Sequence, residues 1–448
     1  MPKKLSQEKS DSVIIVGGGW AGLAAAIEFG RHNIPVILLE SAKQLGGRAR
    51  SVHLDKLHID NGQHMLLGAY ESTLKCLRRI GINESDVFER QPLSLQWLRP
   101  DGDPVLLDTL KLPAPLHLAW ALFRAKGLTL SDRLSALRFC YSLQKIKFTA
   151  EIDSDVESLL KKYRQSAEII KAIWEPLCLG ALNTQIHEAS AQIFLRTLGD
   201  SFSNSRKDSD ILLTKKDLGS IFPEPASDYI ETHNGSVRLG QRVTELNLKN
   251  NAVTGVQLSD QKIKSHYVVL ATPSLITNTL IEDIPALQQI SSQLKSIRHR
   301  PICTVYLQYP KDIKLDGYLR GSLDTTSQWI FDRRLYGQNG LMSIVISGEG
   351  KHMNWDNEKL CAVISKELAT HFPRWPEPSN CHVIREKRAT FAATVDINKH
   401  RPDTQTPVSG LWLAGDYTNN GLPGTLEGAV RSGLKCARQI IKKQKSNR

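Results

Sequence analysis

The chain of 448 residues has little of what marks several protein classes. Its seven cysteines form no CxxC pair and no Cys/His metal spacing, so neither a disulfide scaffold nor a metal site is expected, and a reducing compartment is the default. Aromatic residues make up only 6%, and no apolar run reaches the roughly 20 residues of a membrane-spanning helix. Hydrophobic residues still make up 41%, which excludes disordered and collagen-like chains and leaves material for a large core.

The net charge of +12 is concentrated in two segments. Residues 111–148 hold seven basic side chains and one acidic side chain, and residues 435–448 hold six basic side chains and no acidic one. Such patches suit nucleic acid, an anionic membrane surface or an acidic ligand, and charge alone does not choose among them. Because no recognised nucleic-acid-binding module is present, we expect no nucleic-acid partner.

A glycine-rich turn near the start joins a predicted strand to a predicted helix. Residues 13–16 are a β-branched run typical of a buried parallel strand. The following G-x-G-x-x-G pattern places Gly17 for a tight turn, Gly19 for close approach of a pyrophosphate and Gly22 for helix-on-strand packing. Glu40 ends the next apolar run, where an acid can accept hydrogen bonds from an adenosine ribose. The pattern predicts a dinucleotide site.

The residues after Glu40 resemble a family of flavoproteins. The string E-x5-G-G-R-x-x-S, which contains Gly47 and Arg48, is similar to the flavin amine oxidase and phytoene desaturase superfamily. The resemblance implies FAD as the cofactor and a contact between the arginine and the FAD pyrophosphate, an anion that suits the forked donors of a guanidinium. The alternative for Arg48 is a surface arginine beside a flexible loop.

The C-terminal part resembles the same superfamily. An apolar strand ends in Gly-Asp, and the string LPGTLEGAVRSG then opens a helix. The resemblance implies that Asp416 bonds the ribityl–pyrophosphate part of FAD. It also implies that the backbone of Thr425 and Leu426 faces the pyrimidine end of the flavin, where a helix N-terminus stabilises negative charge. A strand predicted over 240–246 would bring Val243 to the adenine.

Three separated segments therefore predict one Rossmann-like FAD-binding domain in an α/β fold with α+β elements. The predicted FAD-binding segments are 11–75, 225–282 and 385–448. A mixed substrate-binding domain is predicted from 76–224, which includes a helical, membrane-facing part, and from 283–384. No second G-x-G-x-x-G follows a strand, so a dedicated NADPH site is not expected.

Residues expected beside the flavin narrow the resemblance. The strings at 60–70 (DNGQHMLLGAY) and 173–184 (IWEPLCLGALNT), together with the C-terminal motif, are similar to the hydroxysqualene dehydroxylases. The likeness covers nearly the whole chain, and Tyr417 in place of an expected tryptophan is a mild departure. It implies that Gly62 and Gln63 contact the flavin, and that the enzyme reduces hydroxysqualene, an allylic C30 alcohol, to squalene in hopanoid synthesis.

The implied reaction needs a proton for the departing hydroxyl, and three side chains are catalytic candidates. His64 lies beside the expected flavin contact and has a suitable intrinsic pKa, and a buried Glu175 would tend to be protonated. Asn183 could orient the hydroxyl. Each candidate also has a structural alternative. His64 could pack and hydrogen-bond toward the flavin, Glu175 could form a salt bridge at a helix end, and Asn183 could belong to a turn.

The basic segment 111–148 predicts a pair of amphipathic helices. Apolar residues including Trp120 precede Arg124, and Ser131 is predicted to cap the second helix. Such a pair suits an interfacial anchor on an anionic membrane, around the access route of a long-chain isoprenoid substrate. The alternative is an ordinary hairpin whose apolar face is core. We expect a cytoplasmic protein peripherally bound to the inner face of the membrane, with upstream squalene-pathway synthases as candidate partners.

Two other functions stay open at this point. A phytoene desaturase-like carotenoid enzyme would run the flavin in the oxidative direction on C40 polyenes. A lipid-binding protein like the GDP-dissociation inhibitors keeps this fold without flavin catalysis, although the intact Gly47, Arg48 and Asp416 argue against it. Oxidation of protoporphyrinogen or of amines is less favoured.

Overall fold

The computed structural model of the chain describes residues 12–54, 57–100 and 102–446. The strands are β1 (Val13–Val16), β2 (Val36–Leu39), β3 (Ser51–Leu54), β4 (Leu57–Asp60), β5 (Met65–Leu67), β6 (Phe88–Gln91), β7 (Ser94–Leu98), β8 (Val105–Asp108), β9 (Ile211–Thr214), β10 (Ser236–Arg238), β11 (Glu245–Lys249), β12 (Ala252–Gln257), β13 (Lys262–Lys264), β14 (Val268–Leu270), β15 (His299–Gln308), β16 (Leu319–Ser322), β17 (Trp329–Asp332), β18 (Leu341–Ser347), β19 (Asn380–Phe391) and β20 (Leu411–Leu413). The helices are α1 (Trp20–Arg31), α2 (Glu71–Arg79), α3 (Glu84–Val87), α4 (Leu116–Arg124), α5 (Leu130–Lys145), α6 (Val156–Lys162), α7 (Ala167–Ile169), α8 (Glu175–Leu182), α9 (Ala191–Phe202), α10 (Leu218–Ile221), α11 (Pro223–Thr232), α12 (Ser274–Ile281), α13 (Gln288–Ser296), α14 (Asn357–His371), α15 (Ile397–His400) and α16 (Leu426–Ser446). A π-helical segment, Ile170–Trp174, leads into α8.

A five-stranded parallel sheet carries the glycine-rich turn. Its order is β10-β2-β1-β14-β20. Every residue of β1 and β2 is buried, because α1 and α16 pack on one face of the sheet and the β11-β12-β13 sheet packs on the other. The predicted strand, turn and helix at the N-terminus are confirmed. The five strands come from all three predicted FAD-binding segments.

The strand predicted over 240–246 is wrong at its start. β11 begins only at Glu245, so Val243 precedes the strand. Gly240 has a φ of +69°, and its amide and the next one donate hydrogen bonds to carbonyls in the loop after β2. This stretch therefore follows that loop rather than a neighbouring strand, and it leads on from β10, a strand the sequence did not indicate.

A seven-stranded sheet of order β19-β15-β18-β17-β16-β7-β8 forms the second large layer. β19 pairs with β15 as far as Phe391 opposite His299, so it crosses the predicted domain boundary between residues 384 and 385. This one strand therefore has residues on both sides of the predicted boundary. The other predicted boundaries stay predictions.

The two helices predicted in the basic segment are confirmed as α4 and α5, which pack against each other beside β8. The predicted cap at Ser131 is wrong, because Thr129 caps α5. The Thr129 hydroxyl accepts from the amide of Asp132 at 3.2 Å, and the Asp132 carboxylate accepts from the amide of Thr129 at 3.3 Å. This reciprocal capping box satisfies two donors at once, which a serine two residues later could not do.

One disulfide joins the outer layer of the substrate side, where Cys361 of α14 is bonded to Cys381 of β19. Spacing rules did not indicate this pair, whose members are 20 residues apart. The other five cysteines are free thiols. Within the described ranges, no helix combines the length and the apolar character needed to cross a membrane.

Candidate functional site

The turn between β1 and α1 has the geometry of a phosphate cradle. Gly17 has a φ of +110°, and a Cβ there would lie 2.7 Å from the carbonyl oxygen of Ala271. A Cβ on Gly22 would lie 2.0 Å from the carbonyl oxygen of Gly17. At Gly19, by contrast, a Cβ would meet nothing within 4 Å, and no described side chain caps the helix. The first-turn N–H groups of α1 therefore face open space, as a bound pyrophosphate requires.

Glu40 folds back onto this turn from the end of β2. Its Oε2 accepts from the N–H of Gly18 at 2.7 Å, and its Oε1 accepts from the N–H of Ala42 at 2.8 Å. The carboxylate is thereby held at the mouth of the turn with lone pairs left over. This placement fits the predicted contact with an adenosine ribose.

Gly46 and Gly47 bring the arginine loop onto the turn. The N–H of Gly46 donates to the carbonyl of Gly18 at 2.9 Å, and a Cβ on Gly47 would lie 3.3 Å from the Cα of Gly19. The two glycine-rich segments therefore pack backbone against backbone. This packing places Arg48 close to the open N-terminus of α1.

Arg48 meets Asp416 across a sequence separation of 368 residues. Nη2 of Arg48 donates to Oδ1 of Asp416 at 2.6 Å, and Nη1 donates to the carbonyl of Ala389 at 2.8 Å. Burial opposes the charge of Arg48, but the adjacent Asp416 raises the pKa of the guanidinium overall. Asp416 is 5% exposed, whereas the Arg48 side chain keeps 35% of its surface for a further anion.

The start of α16 forms another wall of the site. Leu426 is the first helical residue, and Oγ1 of Thr425 accepts from the N–H of Gly428 at 3.1 Å. The hydroxyl of Tyr70 hydrogen-bonds Thr425, and burial together with the nearby Glu427 raises the pKa of Tyr70. Tyr70 was not among the residues predicted to lie at the site, although it is the last residue of the string 60–70 that resembles the hydroxysqualene dehydroxylases.

Arg401, which the sequence did not indicate, holds the loop between β20 and α16. It is 2% exposed, and it donates to the carbonyls of Asp416, Thr418 and Leu422 at 2.6 to 2.8 Å. Its guanidinium lies 4.6 Å from the centre of the Phe391 ring. Burial lowers the pKa of Arg401 to about 10, so the side chain is still charged at pH 7.

The loop of residues 60–64, here called the His64 loop, rests on the seven-stranded sheet. A Cβ on Gly62 would lie 3.5 Å from Oγ1 of Thr304. Oε1 of Gln63 accepts from Nη1 of Arg333 at 2.7 Å and from the hydroxyl of Ser343 at 2.9 Å. The side-chain oxygen of Gln63 is thus engaged with the sheet, and the predicted flavin contact is left to its backbone.

Asp60, at the start of this loop, and Arg333, which contacts the loop, are buried side chains of opposite charge type. Asp60 and Arg333 are both 0% exposed, and the positive charge of Arg333 acts to lower the pKa of Asp60. Oδ1 of Asp60 accepts from the amide of Leu218 at 2.9 Å. Oδ2 of Asp60 and Nη2 of Arg333 have no partner among the described residues. Burial raises the pKa of Asp60 from 3.8 to about 6, and its hydrogen bond from Leu218 opposes the rise.

The Asp60→Asn variant should reveal this burial through the pH dependence of stability. Because the folded pKa is the higher one, Asp60 stabilises the native state below pH 4, and this contribution is lost as the pH rises through 6. The shift corresponds to about 3 kcal/mol. We expect the unfolding free energy of Asp60→Asn, relative to wild type, to rise by that amount between pH 4 and pH 7 in urea titrations. An equal difference at both values, as expected for the exposed control Asp312→Asn, would contradict the assignment.

His64 is half-buried by surface area, yet desolvation lowers its pKa to about 4. The imidazole is therefore neutral at pH 7. In that state it can donate a hydrogen bond but carries no extra proton to release.

Glu175 lies apart from these residues, at the start of α8. Burial raises its pKa, and the charges that act on it include Lys171 and Asp324, which form an exposed ion pair with each other at 2.5 Å. Within the described chain Glu175 has no ion pair of its own, so the alternative of a helix-end salt bridge is not formed. None of the charges that shift its pKa belongs to the cradle or to the His64 loop.

Asn183 ends α8 in the left-handed conformation, with a φ of +50°. Nδ2 donates to Oγ1 of Thr390 at 3.0 Å and to the carbonyl of Pro301 at 3.2 Å, and Oδ1 accepts from the amide of Gly348 at 2.6 Å. The side chain is 4% exposed. These contacts are those of the turn alternative, and they leave Asn183 no free donor toward a substrate hydroxyl.

An apolar cleft of about 210 Å³ opens between the β7–β8 edge and the α4–α5 hairpin. Its wall contains leucines, aromatic residues and one polar side chain, Gln144, and no charged residue. Leu116 and Tyr141 lie at the cleft and are 57% and 61% exposed, so the cleft opens at the surface of the hairpin. Such a lining suits a long hydrocarbon and not a polar metabolite.

Exposed apolar side chains surround this opening. The hairpin patch consists of Leu116, Trp120, Phe123, Leu130, Leu134 and Tyr141, each at least 38% exposed. Arg124, Arg138 and Lys145 on the same two helices are exposed as well. The hairpin therefore has a buried apolar side and an exposed one, which the alternative of an ordinary core hairpin does not explain.

The layered fold, the phosphate cradle and the buried Arg48–Asp416 pair define a FAD-dependent oxidoreductase. The chain belongs to the family described as flavin containing amine oxidoreductases, which matches residues 20–441. The predicted fold class, superfamily and cofactor are thereby confirmed. The contacts of individual residues with FAD, including Val243 and Gly62, stay predictions.

Two bacterial relatives match this chain over nearly its full length. A hydroxysqualene dehydroxylase of Zymomonas mobilis is 27% identical over 428 residues, covering 94% of this chain and 97% of that protein. A second, of Rhodopseudomonas palustris, is 27% identical over 453 residues, covering 96% and 99%. The predicted resemblance to these enzymes is confirmed. A 15-cis-phytoene desaturase of Glycine max is 23% identical over 459 residues, covering 96% and 79%.

Solved structures share the fold at low identity. Cyclohexylamine oxidase from Brevibacterium oxydans superposes with a TM-score of 0.74 at 14% identity, covering 97% of this chain and all 100% of that one. A putrescine oxidase superposes with a TM-score of 0.72 at 15% identity, covering 96% and 99%. These likenesses concern the fold alone.

Proposed function

We propose that this chain catalyses the FAD-dependent reductive dehydroxylation of hydroxysqualene to squalene. The observation that carries the proposal is the uncharged apolar cleft of about 210 Å³, whose wall suits a hydrocarbon. The two bacterial relatives named hydroxysqualene dehydroxylase support the same substrate class. An amine substrate would need a polar or anionic lining that the cleft does not offer.

When bound in its fully reduced form, FADH2, the cofactor would supply both the hydride that replaces the hydroxyl and the proton with which the hydroxyl leaves as water. The protein binds the chain, excludes water and assists the hydroxyl as it leaves an allylic carbon. We assign that assistance to His64, whose neutral imidazole can donate a hydrogen bond to the hydroxyl oxygen. Glu175 lies near surface charges and takes no part in this scheme.

The reaction is tested by anaerobic incubation of the photoreduced holoenzyme with hydroxysqualene, followed by product analysis. Squalene formed together with reoxidised flavin supports the proposal. Reduced enzyme that leaves the alcohol unchanged refutes it. A polyene formed from phytoene by oxidised enzyme would favour the desaturase alternative, which the phytoene desaturase relatives keep as the second candidate.

Substitution of His64 should slow this single turnover without removing the cofactor. We expect His64→Ala to lower the rate by about 100-fold or more, the lower end of the range for one positioned hydrogen-bond donor to developing negative charge. Its absorbance spectrum should still show bound FAD. Glu175→Gln serves as the comparison and should react within about twofold of wild type. Equal rates for His64→Ala and wild type would remove His64 from the scheme.

We also propose that the hairpin patch docks the enzyme on the anionic cytoplasmic face of a membrane, where an upstream synthase would release the apolar substrate. Trp120 and Phe123 are 41% and 47% exposed, and basic residues flank them. Each basic residue close to an anionic surface contributes about 1 kcal/mol. The cleft opens at this patch, so a hydrocarbon could pass from the bilayer without crossing water.

The second basic segment lies on the far half of α16, beside the end of α1. α16 starts at the cofactor site and runs for 21 residues, which is about 30 Å. Its far end lies beside His32, at the end of α1, with Arg438 and Lys442 in the same surface groove. The groove lies beside the C-terminal end of α1, whereas the phosphate cradle lies at the N-terminal end of that helix.

Flotation with anionic liposomes tests the docking at moderate salt. We expect the double variant Trp120→Ser/Phe123→Ser to bind at least tenfold more weakly than wild type, because two large apolar side chains no longer enter the interface. The matched control Leu275→Ser/Ile276→Ser removes two exposed apolar residues from α12 and should bind as wild type does. Failure of wild type to float would overturn the docking proposal.

A further inference from the structure

The imidazole of His64 takes its position from the backbone that carries it. Among the residues that the structure describes, neither ring nitrogen of His64 has a hydrogen-bond partner. Gly62 has a φ of +128°, so the loop turns at a residue whose backbone no side chain restrains. The carbonyl of His64 accepts from Nε2 of Gln63 at 3.1 Å. Contacts of the Gln63 side chain therefore help to fix the backbone of His64.

The orientation of the Gln63 amide is set from the seven-stranded sheet. Its Oε1 accepts from Nη1 of Arg333 at 2.7 Å and from the hydroxyl of Ser343 at 2.9 Å. A guanidinium has donors and no acceptor, so the NH2 group of Gln63 cannot take the place of this oxygen. The amide oxygen therefore faces Arg333, and the NH2 group is left to donate to the carbonyl of His64.

Arg333 is itself held on several sides, in the 3₁₀ segment that follows β17. Its guanidinium lies 3.8 Å from the centre of the Tyr336 ring and 5.6 Å from that of Tyr306, within the range of cation–π attraction. Nε donates to Oε1 of Gln338 at 2.6 Å, and Nε2 of Gln338 donates to the carbonyl of His58 at 2.6 Å. His58 belongs to β4, which leads into the His64 loop, so Arg333 is connected to both the start and the middle of this stretch.

We propose that Arg333 is a positioning residue for His64: it fixes the amide of Gln63, which holds the backbone so that the imidazole meets the hydroxyl oxygen of the substrate. The inference rests on the proposed function, since it takes His64 as the hydrogen-bond donor to that oxygen. Displacement of a reacting group lowers the rate of the chemical step far more than it weakens binding of the substrate. Loss of Arg333 should therefore lower kcat and leave KM nearly unchanged.

Two variants break this chain of contacts at different points. Arg333→Met removes every donor and keeps the apolar length of the side chain. Gln63→Glu keeps the acceptor for Arg333, but a carboxylate cannot donate to the carbonyl of His64, so this variant tests the proposal even where Arg333→Met fails to fold. Arg334→Met is the matched control, because Arg334 lies in the same segment and donates to carbonyls of the loop between β15 and β16.

The rate of single turnover by the photoreduced holoenzyme is measured against the concentration of hydroxysqualene. We expect Arg333→Met and Gln63→Glu to lower the maximal rate by about tenfold or more, with a half-saturating concentration within about twofold of wild type. Arg334→Met should match wild type in both. In a His64→Ala background, Arg333→Met should cost no more than about twofold, because the group through which it acts is already absent. A wild-type rate in Arg333→Met, or an equal loss in both backgrounds, would overturn the positioning role.

A spectroscopic measurement keeps the two proposals apart. The imidazole signals of His64 in the oxidised holoenzyme are observed by ¹⁵N NMR and assigned by their absence in His64→Ala. We expect them to move in Arg333→Met and Gln63→Glu and to stay in place in Arg334→Met. Signals that move in this way, in an enzyme that leaves hydroxysqualene unreacted, support the positioning and refute the dehydroxylation. Signals that stay in place in all three variants, in an enzyme that forms squalene, refute the positioning and support the dehydroxylation.

Discussion

Arg48→Leu is expected to fold and to lose its FAD, with an affinity for the cofactor that falls by at least 100-fold. The guanidinium is bound to Asp416 at 2.6 Å, and its remaining surface lies near the open N-terminus of α1. Loss of a charge-assisted hydrogen bond to an anion costs about 1.5 to 3 kcal/mol. The substitution also leaves the buried Asp416 carboxylate without its partner, beside a pyrophosphate of the same sign. Fluorescence titration of the apoprotein with FAD measures the change.

A double-mutant cycle separates these two causes. Asp416→Asn removes the carboxylate, and Arg48→Leu/Asp416→Asn removes both charges, so recovery of affinity in the double variant reports the stranded carboxylate. Arg78→Leu, on the exposed side of α2, controls for the loss of a positive charge and should bind FAD normally. Wild-type affinity in Arg48→Leu would show that the guanidinium does not contact the cofactor.

Local sequence patterns were enough to predict the N-terminal part of the site. Gly17, Gly19 and Gly22 are within six residues of one another; a Cβ would clash at Gly17 and Gly22, whereas Gly19 borders open space. A pattern of this kind can be recognised in the sequence because the strand, the turn and the helix that it describes are contiguous. The same holds for the α4–α5 hairpin, where apolar and basic residues alternate within one segment.

Contacts between distant segments could not be predicted from local sequence patterns. The pairing of Arg48 with Asp416 could be expected only through the family resemblance, because nothing local links residues so far apart. Arg333 lies in a short 3₁₀ segment and Arg401 in a loop, and neither position belongs to a recognisable pattern. Their importance comes from burial against backbone and side-chain acceptors of other segments. The start of β11 was misplaced for a related reason, since amides near Gly240 bind the loop after β2.

Arg401→Met should unfold at a temperature lower than wild type by about 4 °C or more, and it should bind FAD weakly as a consequence. Methionine keeps the apolar length of the side chain but removes every donor. The carbonyls of Asp416, Thr418 and Leu422 then stay buried without a partner, at a cost of about 1 to 3 kcal/mol each. A loss of about 4 kcal/mol is a large part of ordinary domain stability. Thermal unfolding of the apoprotein followed by circular dichroism measures the shift.

The two arginine variants should differ in a way that identifies what each side chain does. Arg48 has exposed surface facing the cofactor site, so Arg48→Leu should change the apoprotein's unfolding temperature less than Arg401→Met does. Arg401 is enclosed by the loop that carries Asp416, so its loss disturbs the site through the backbone, and added FAD should restore part of the lost stability by mass action. Arg374→Met, at an exposed position, should unfold as wild type does. A normal unfolding temperature for Arg401→Met, together with weak FAD binding, would instead place Arg401 in contact with the cofactor.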